Sequence, residues 1–387
     1  MLKNTSRLII LSICFLFAIN VQAQYDSIVH DGLNRTYLLH LPQGYTSANE
    51  YPLIVAIHGG FGSATNLQNQ SQLSIKADQE KFIVVYPEGV KGGILKIRTW
   101  NAGGCCGHAV TDNIDDVGFI NSLLDTLMSS YQIDNSRVYA TGMSNGAYLS
   151  YRLACELSHR IAAIAPVAGS MIVSSCNPTR PVPIIHIHSF KDSNVRYNGG
   201  VGSGVSNHYS PPLDSVLNVW SNFNSCNVNQ DTVHNDNKYM RIVWDSCSCE
   251  VEQELYLSTD GGHSWHGGRK TIIGDSVSKH INANDLMWDF FKKHDLKCTP
   301  LSINRILVNE LKVFPNPAFN LLKIELPKQS NNSILSLFDS RGVLLKQETI
   351  SSELSIHRLD LRAISTGIYH LRLLGPNTTY STTILKE

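Results

Sequence analysis

A serine bracketed by glycines, Gly142-Met143-Ser144-Asn145-Gly146, is the part of this 387-residue chain best suited to covalent chemistry. The G-x-S-x-G pattern fits a sharp strand-to-helix turn that exposes the serine oxygen, because bulkier neighbours would crowd both the backbone and a substrate. A serine alone is a weak nucleophile, so it needs a base to take its proton and a carboxylate to orient that base. Both follow in the order such a turn requires: Asp192 within Ser189-Phe190-Lys191-Asp192-Ser193-Asn194, then His263 within Gly261-Gly262-His263-Ser264-Trp265. Ser144 reads as nucleophile, His263 as general base and Asp192 as the orienting acid. Together they would transfer an acyl group to the serine and then to water. The negative charge that develops on the carbonyl oxygen needs backbone N–H groups aimed at it. His58-Gly59-Gly60-Phe61-Gly62 offers one, with Gly60 favoured over Gly59 and Phe61, and Asn145 offers the other.

Each of these groups must be carried on the end of a buried element. The apolar run Tyr51–Ile57 leads into His58, Arg137–Thr141 into the elbow, Pro183–His188 into the acid loop and Glu252–Leu257 into the histidine loop. A helix is expected from Ala147 to Leu157, and another along the amphipathic stretch to Ser130, where Asp115-Asp116 reads as its N-terminal cap. Trp100 and Trp265 are candidate substrate contacts, since an aromatic face suits a sugar or phenolic ring, with a buried structural role as the alternative. His186 and His188 alternate on one strand and so share a face, where an H-x-H metal pair competes with plain packing beneath the site.

Formal charge is zero, which gives no electrostatic case for nucleic acid or an anionic membrane as partner. Residues 1–23 read as a secretory leader: Lys3 and Arg7 form a basic start, Leu8–Ile19 an apolar core and Val21-Gln22-Ala23 a cleavage site. The apolar core is too short to span a bilayer comfortably, so no transmembrane anchor is expected. Of nine cysteines, Cys14 falls in the leader, and the remaining eight are an even number in an oxidising setting, where disulfides are the default. Cys226 is expected to pair with Cys247 or Cys249, the neighbours Cys105 and Cys106 to reach different partners, and Cys247-Ser248-Cys249 offers a zinc pair as the alternative.

From about Arg35 to about His294 the chain resembles secreted esterases of the polyhydroxybutyrate depolymerase or LpqC type, which include feruloyl and acetylxylan esterases. The resemblance rests on the elbow together with His58-Gly59-Gly60, Val84–Gly89, Trp100–Gly107, Asp115–Ile120, Ala165–Gly169 and Gly261–Trp265. It implies an α/β fold, an α/β-hydrolase with a mostly parallel central sheet, that cleaves carboxylic esters with no metal or organic cofactor through Ser144, Asp192 and His263. Two positions depart from the family pattern: Ser189 follows His188 where glycine is usual, and His266 follows Trp265 where proline is usual. Both are expected near the acyl or leaving-group site, where they would bear on substrate range.

The catalytic region is expected to end with a helix at Asn284–Lys293, and residues 298–310 to be a linker. From Leu311 short apolar runs alternate with turns, which argues for a small all-β sandwich. This tail resembles the type A sorting domain of type IX secretion: a Phe314-Pro315-Asn316-Pro317 opening, the Asp339 to Gly342 turn, a Gly367-Ile368-Tyr369 strand and a lysine-bearing end at Ile384–Glu387. It implies export through the periplasm, with that machinery as partner, to the medium or the cell surface; a carbohydrate-binding or generic β accessory domain is the alternative. The combined expectation is a secreted serine esterase acting on polymer-linked feruloyl or acetyl esters. A polyester depolymerase, a serine peptidase and a non-catalytic surface binding protein are the competing readings.

Overall fold

The computed structural model describes residues 24–203, 208–227, 230–271, 274–296, 309–327, 333–339, 344–351, 353–374 and 379–387. The chain divides into two units, Met1–Pro300 and Leu301–Glu387. The expected leader, Cys298 and the Arg341-Gly342 turn lie outside the described residues.

In chain order the first unit contains β1 (Gln24–His30), β2 (Leu33–His40), β3 (Tyr51–Ile57), α1 (Ala64–Ser71), α2 (Leu73–Glu80), β4 (Ile83–Pro87) and a hairpin of β5 (Val90–Gly92) and β6 (Ile97–Thr99). There follow α3 (Gly107–Thr111), α4 (Asp116–Ser130), β7 (Ile133–Met143), α5 (Asn145–Glu156), β8 (Ala163–Val167), β9 (Ile184–Ser189), the short pair β10 (Gly200–Val201) and β11 (Tyr209–Ser210), and α6 (Leu213–Phe223). The unit ends with β12 (Gln230–Asn235), β13 (Tyr239–Trp244), β14 (Gln253–Ser258) and α7 (Ala283–Phe291).

One ten-stranded sheet organises it, in the order β1-β2-β4-β3-β7-β8-β9-β14-β13-β12. The strands from β4 to β14 run parallel, and an antiparallel hairpin flanks each side. Central strands are buried on both faces and read as continuous apolar runs, with successive side chains going to opposite cores. In β3, Leu53, Val55 and Ile57 join the core beneath α4, α5 and α6, while Ile54 and Ala56 join the one beneath α1, α2 and α7. The result is a three-layer α/β fold whose parallel strands all end at the same edge.

Asp115 caps α4 as expected, accepting the Gly118 N–H at 2.9 Å. Asp116 does something else: it is fully buried and pairs with Arg35 at 2.6 Å while its second oxygen accepts the Asn101 N–H at 2.7 Å. Together these bonds tie β2 and the loop after β6 to the start of α4. Disulfides join Cys155 to Cys176 and Cys226 to Cys247, and Cys249 is also disulfide-bonded, so Cys247-Ser248-Cys249 is bonded through sulfur rather than open to zinc. Cys105 and Cys106 bridge each other, contrary to the expectation of separate partners, with their Cα atoms 3.1 Å apart.

The second unit holds β15 (Asn309–Glu310), β16 (Val313–Phe314), β17 (Leu321–Glu325), β18 (Ser333–Asp339), β19 (Leu344–Ile350), β20 (Ile356–Asp360), β21 (Gly367–Leu374) and β22 (Thr379–Lys386). A five-stranded sheet, β15-β22-β21-β18-β19, and a three-stranded one, β16-β17-β20, share a single core to which the smaller sheet gives Leu322, Ile324 and Leu359 and the larger Leu335, Leu371 and Ile384. Strand β21 shows why: Tyr369, Leu371 and Leu373 turn inward while His370 and Arg372 turn out. The last two residues of the expected linker belong to this sheet, with Asn309 opposite Tyr380 and Glu310 opposite Ser381. Among the described residues no helix is long and apolar enough to cross a membrane.

Candidate active site

Ser144 stands between the end of β7 and the first residue of α5 with φ 56° and ψ −121°, a conformation that a residue with a β-carbon adopts only when its surroundings impose it. Its N–H donates to the Val167 carbonyl at 3.0 Å, and its carbonyl accepts from the N–H groups of Ala147 and Tyr148. A β-carbon on Gly146 would collide with the carbonyls of Ile57 and His58, and one on Gly142 with the backbone of Gly146. The two glycines therefore let the elbow close against the end of β3. Within Thr141–Ser150, Ser144 alone is not buried.

The glycine loop after β3 lies against this elbow. Ideal β-carbons on Gly59 and Gly60 would stand 3.3 Å from Ser144 Cβ and 3.9 Å from Asn145 Cβ. Of the three candidate donors, Phe61 is removed because its N–H is bonded to the Arg98 carbonyl at 2.9 Å. The Gly59 carbonyl is held from the other side, by His58 Nδ1 at 2.7 Å and the Gly62 N–H at 3.0 Å. In a trans peptide the N–H points away from the carbonyl, so the Gly60 N–H faces away from this clamp. His58 Nε2 accepts the Gly89 N–H at 3.0 Å, which leaves Nδ1 to carry the ring proton, and burial lowers the pKa of His58 to about 4, so the ring is neutral. Asn145 opens α5, where the first N–H groups of a helix have no partner within it. Its side chain grips the backbone of Trp100 at both ends, Oδ1 accepting from the N–H at 2.7 Å and Nδ2 donating to the carbonyl at 3.1 Å.

The acid and the histidine come together from the ends of neighbouring strands. Asp192, after β9, is buried, and its oxygens have separate tasks: Oδ1 accepts the N–H groups of Asn194 and Val195 at 2.9 and 2.8 Å, and Oδ2 faces His263 Nδ1 at 2.8 Å. Burial raises the pKa of this carboxyl, but the His263 ring and its hydrogen bond, His188 and the Val195 N–H outweigh that and hold it below the ordinary value. A carboxylate accepts only, so Nδ1 of His263 donates and Nε2 is left as the basic nitrogen. The His263 N–H is anchored on Asp275 Oδ2 at 2.7 Å. Among the described residues, Ser144 Oγ and the His263 ring form no hydrogen bond with each other. Such bonds are often long before a substrate is bound.

Trp100 and Trp265 do not offer a face to substrate: both are fully buried. The Trp100 Nε1–H donates to the His58 carbonyl at 2.9 Å and the Trp265 Nε1–H to Asn284 Oδ1 at 2.9 Å, so each indole anchors a loop of the site from below. The two departures from the family pattern are likewise turned inward. Ser189 Oγ lies 3.2 Å from the Asp260 carbonyl and 3.3 Å from that of Gly261, and His266 Nε2 lies 3.0 Å from Ser258 Oγ, which itself donates to the Asp260 carbonyl. Both brace the start of the histidine loop. His186 and His188 are buried and hydrogen-bonded to Tyr151, to each other and to the Val195 carbonyl. The supporting roles of His58 and of the Asn145 side chain were missed in sequence; the polar residues flanking each glycine of the two motifs were the available signal.

A mostly parallel α/β sheet whose strand ends present a serine elbow, an acid loop and a histidine loop in that order defines an α/β-hydrolase. Residues 35–189 match the family Esterase PHB depolymerase, and residues 312–387 match the Secretion system C-terminal sorting domain. The chain is 31% identical over 296 residues to NocK of Nocardia uniformis subsp. tsuyamanensis, a protein named as an esterase, covering 68% of this chain and 80% of that one. It is 29% identical over 271 residues to Feruloyl esterase B of Piromyces equi, covering 68% of this chain and 46% of that one. It is 30% identical over 159 residues to the bifunctional acetylxylan esterase/xylanase XynS20E of Neocallimastix patriciarum, covering 41% and 22%. The chain thus spans less than half the length of these last two relatives. The solved acetyl xylan esterase from Aspergillus awamori is similar at a TM-score of 0.49 and 16% identity, covering 70% of this chain and 99% of that one. The protein belongs to the Esterase PHB depolymerase family and carries a C-terminal secretion sorting domain.

Proposed function

We propose that the protein is an exported serine esterase in which Ser144, His263 and Asp192 form the catalytic triad. The observation that carries this reading is the 2.8 Å bond from buried Asp192 to His263 Nδ1, which leaves Nε2 basic, in the same unit as a serine held at positive φ against a glycine loop. Ser144 Oγ attacks the ester carbonyl carbon as His263 Nε2 takes its proton. The carbonyl oxygen becomes an oxyanion held by the N–H groups of Gly60 and Asn145. The C–O bond to the alcohol breaks as His263 returns the proton to that oxygen, leaving an acyl-enzyme. Water then repeats the sequence, its proton passing through His263 to Ser144 Oγ as the carboxylic acid leaves.

The substrate class proposed is polymer-linked ester, feruloyl or acetyl groups on plant polysaccharide. Relatives named feruloyl esterase and acetylxylan esterase support it. The C-terminal sandwich would hand the exported chain to the type IX secretion machinery, placing the enzyme outside the cell. Hydrolysis of methyl ferulate, acetylated xylan, p-nitrophenyl acetate and polyhydroxybutyrate should be compared for the wild type and Ser144→Ala. Turnover of a polysaccharide-linked ester that Ser144→Ala abolishes is expected. Equal turnover by folded Ser144→Ala would remove Ser144 as nucleophile, and Ser144-dependent activity confined to polyhydroxybutyrate would move the protein to polyester depolymerisation.

A further inference from the structure

Beneath the acid loop runs a buried file of polar side chains that the proposed reaction does not use. Tyr151 on α5 and His186 and His188 on β9 have no solvent exposure. Tyr151 Oη lies 2.7 Å from His186 Nδ1, His186 Nε2 lies 3.2 Å from His188 Nδ1, and His188 Nε2 lies 2.8 Å from the Val195 carbonyl oxygen. The proton positions follow from the far end. A carbonyl only accepts, so His188 carries its proton on Nε2. Burial lowers the pKa of both histidines, so both rings are neutral and Nδ1 of His188 is bare. His186 must then donate from Nε2, which leaves its own Nδ1 to accept the Tyr151 hydroxyl proton. Every link has one donor and one acceptor, and there is one direction in which they can run.

The file ends on the catalytic acid. Val195 is held at both its backbone polar groups: its carbonyl accepts from His188, and its N–H donates to Asp192 Oδ1 at 2.8 Å. The same Nε2 of His188 stands 3.7 Å from Asp192 Oδ2, the oxygen that faces His263. The titratable groups facing His188 are thus Asp192, His263, His186 and His266.

We propose that His188, backed by His186 and Tyr151, is a positioning residue that fixes the rotamer of Asp192 and through it the aim of His263. This rests on the reading of Asp192 and His263 as acid and base. A polar file that merely filled the core would affect melting and leave turnover by the folded enzyme alone. A file that aims the acid must affect the chemical step.

The test uses the full chain and the variants His188→Gln, His188→Leu and Tyr151→Phe, with Asp192→Asn as reference, assayed on p-nitrophenyl acetate for kcat, KM and the pH profile of kcat/KM. Glutamine keeps an N–H donor near the Nε2 position and should stay within about threefold of wild type, whereas leucine should lower kcat roughly 30-fold with KM changed less than about twofold. Leucine should also move the acid limb of kcat/KM to lower pH, because a misplaced carboxylate supports the His263 imidazolium less well. Tyr151→Phe removes one hydroxyl without changing ring shape and should move kcat and the acid limb in the same direction by less. Wild-type kcat and an unmoved acid limb in folded His188→Leu, or equal losses in the leucine and glutamine variants, would overturn the proposal. Should His188→Leu fail to fold, an unchanged kcat and acid limb in Tyr151→Phe would overturn it alone. Full activity in Asp192→Asn would instead bring down the acid assignment beneath it.

Discussion

Replacing Asp192 by asparagine removes the charge of the acid while keeping its shape, and the surrounding loop dictates which way the new amide must face. The N–H groups of Asn194 and Val195 converge on Oδ1 at 2.9 and 2.8 Å. An amide nitrogen placed there would set donor against donor, at about 1–3 kcal/mol for each buried group left unpaired. The asparagine oxygen therefore takes the Oδ1 place and its NH2 takes the Oδ2 place, 2.8 Å from His263 Nδ1. That nitrogen must now accept, so the ring proton moves to Nε2 and the histidine can no longer take a proton from Ser144. A wrong tautomer in an otherwise intact triad costs about 10,000-fold in kcat, or about 5.4 kcal/mol of barrier. Steady-state release of p-nitrophenol from p-nitrophenyl acetate measures it, beside a thermal melt to show that the variant is folded. A folded Asp192→Asn enzyme within about tenfold of wild type would mean that Asp192 does not set the tautomer of His263.

Three further outcomes are expected. Trp100→Phe deletes the indole donor to the His58 carbonyl and should cost about 1–2 kcal/mol of stability with little change in KM; a raised KM at normal stability would return Trp100 to the substrate site. Burial puts the pKa of His58 and of His266 at about 4, against about 6.5 for an exposed histidine, so the unfolded chain binds more protons between those values. Stability from these rings is therefore complete above about pH 6.5 and lost as pH falls towards 4, by up to about 3 kcal/mol each, and a melting temperature constant from pH 7 to pH 4.5 would contradict their neutrality. Cys226→Ala with Cys247→Ala opens a loop with a sequence separation of 21, and urea unfolding should show a loss of about 3 kcal/mol. Unchanged stability would mean that the bridge does not constrain the unfolded chain.

The candidate reactive groups could be proposed from sequence because each sits in a local pattern, a strand running into a loop with glycine where the backbone must pass closely. Strand β3 begins and ends where its apolar run does, and the elbow falls between a strand and a helix as the glycines require. The supporting contacts were not legible, because they cross between segments that only the sheet order makes neighbours. Asn145 meets Trp100, held on the His58 carbonyl after β3, because β7 lies beside β3, and Ser189 meets Asp260 because β9 pairs with β14. Trp100 and Trp265 were left open between two roles for a related reason. An aromatic residue beside a catalytic motif can be a platform or an anchor, and what decides is whether its N–H finds a buried acceptor, here His58 and Asn284. Asp116 looked like a second capping residue until Arg35, far away in sequence, proved to be its partner. The bridge between Cys105 and Cys106 was missed because neighbouring cysteines were expected to reach different partners.

The serine, the acid and the histidine leave three different parallel strands, β7, β9 and β14, and β14 enters the sheet only after more than half of the chain has been laid down. Parallel pairing joins distant segments and pays its loop-closure entropy before any contact returns it, so it is intrinsically slow. Ser144 precedes β8 in the chain, and Asp192 and His263 follow it. With the proposed triad, hydrolytic competence requires β14 docked beside β9, and recovery of esterase activity during refolding is expected to report that docking.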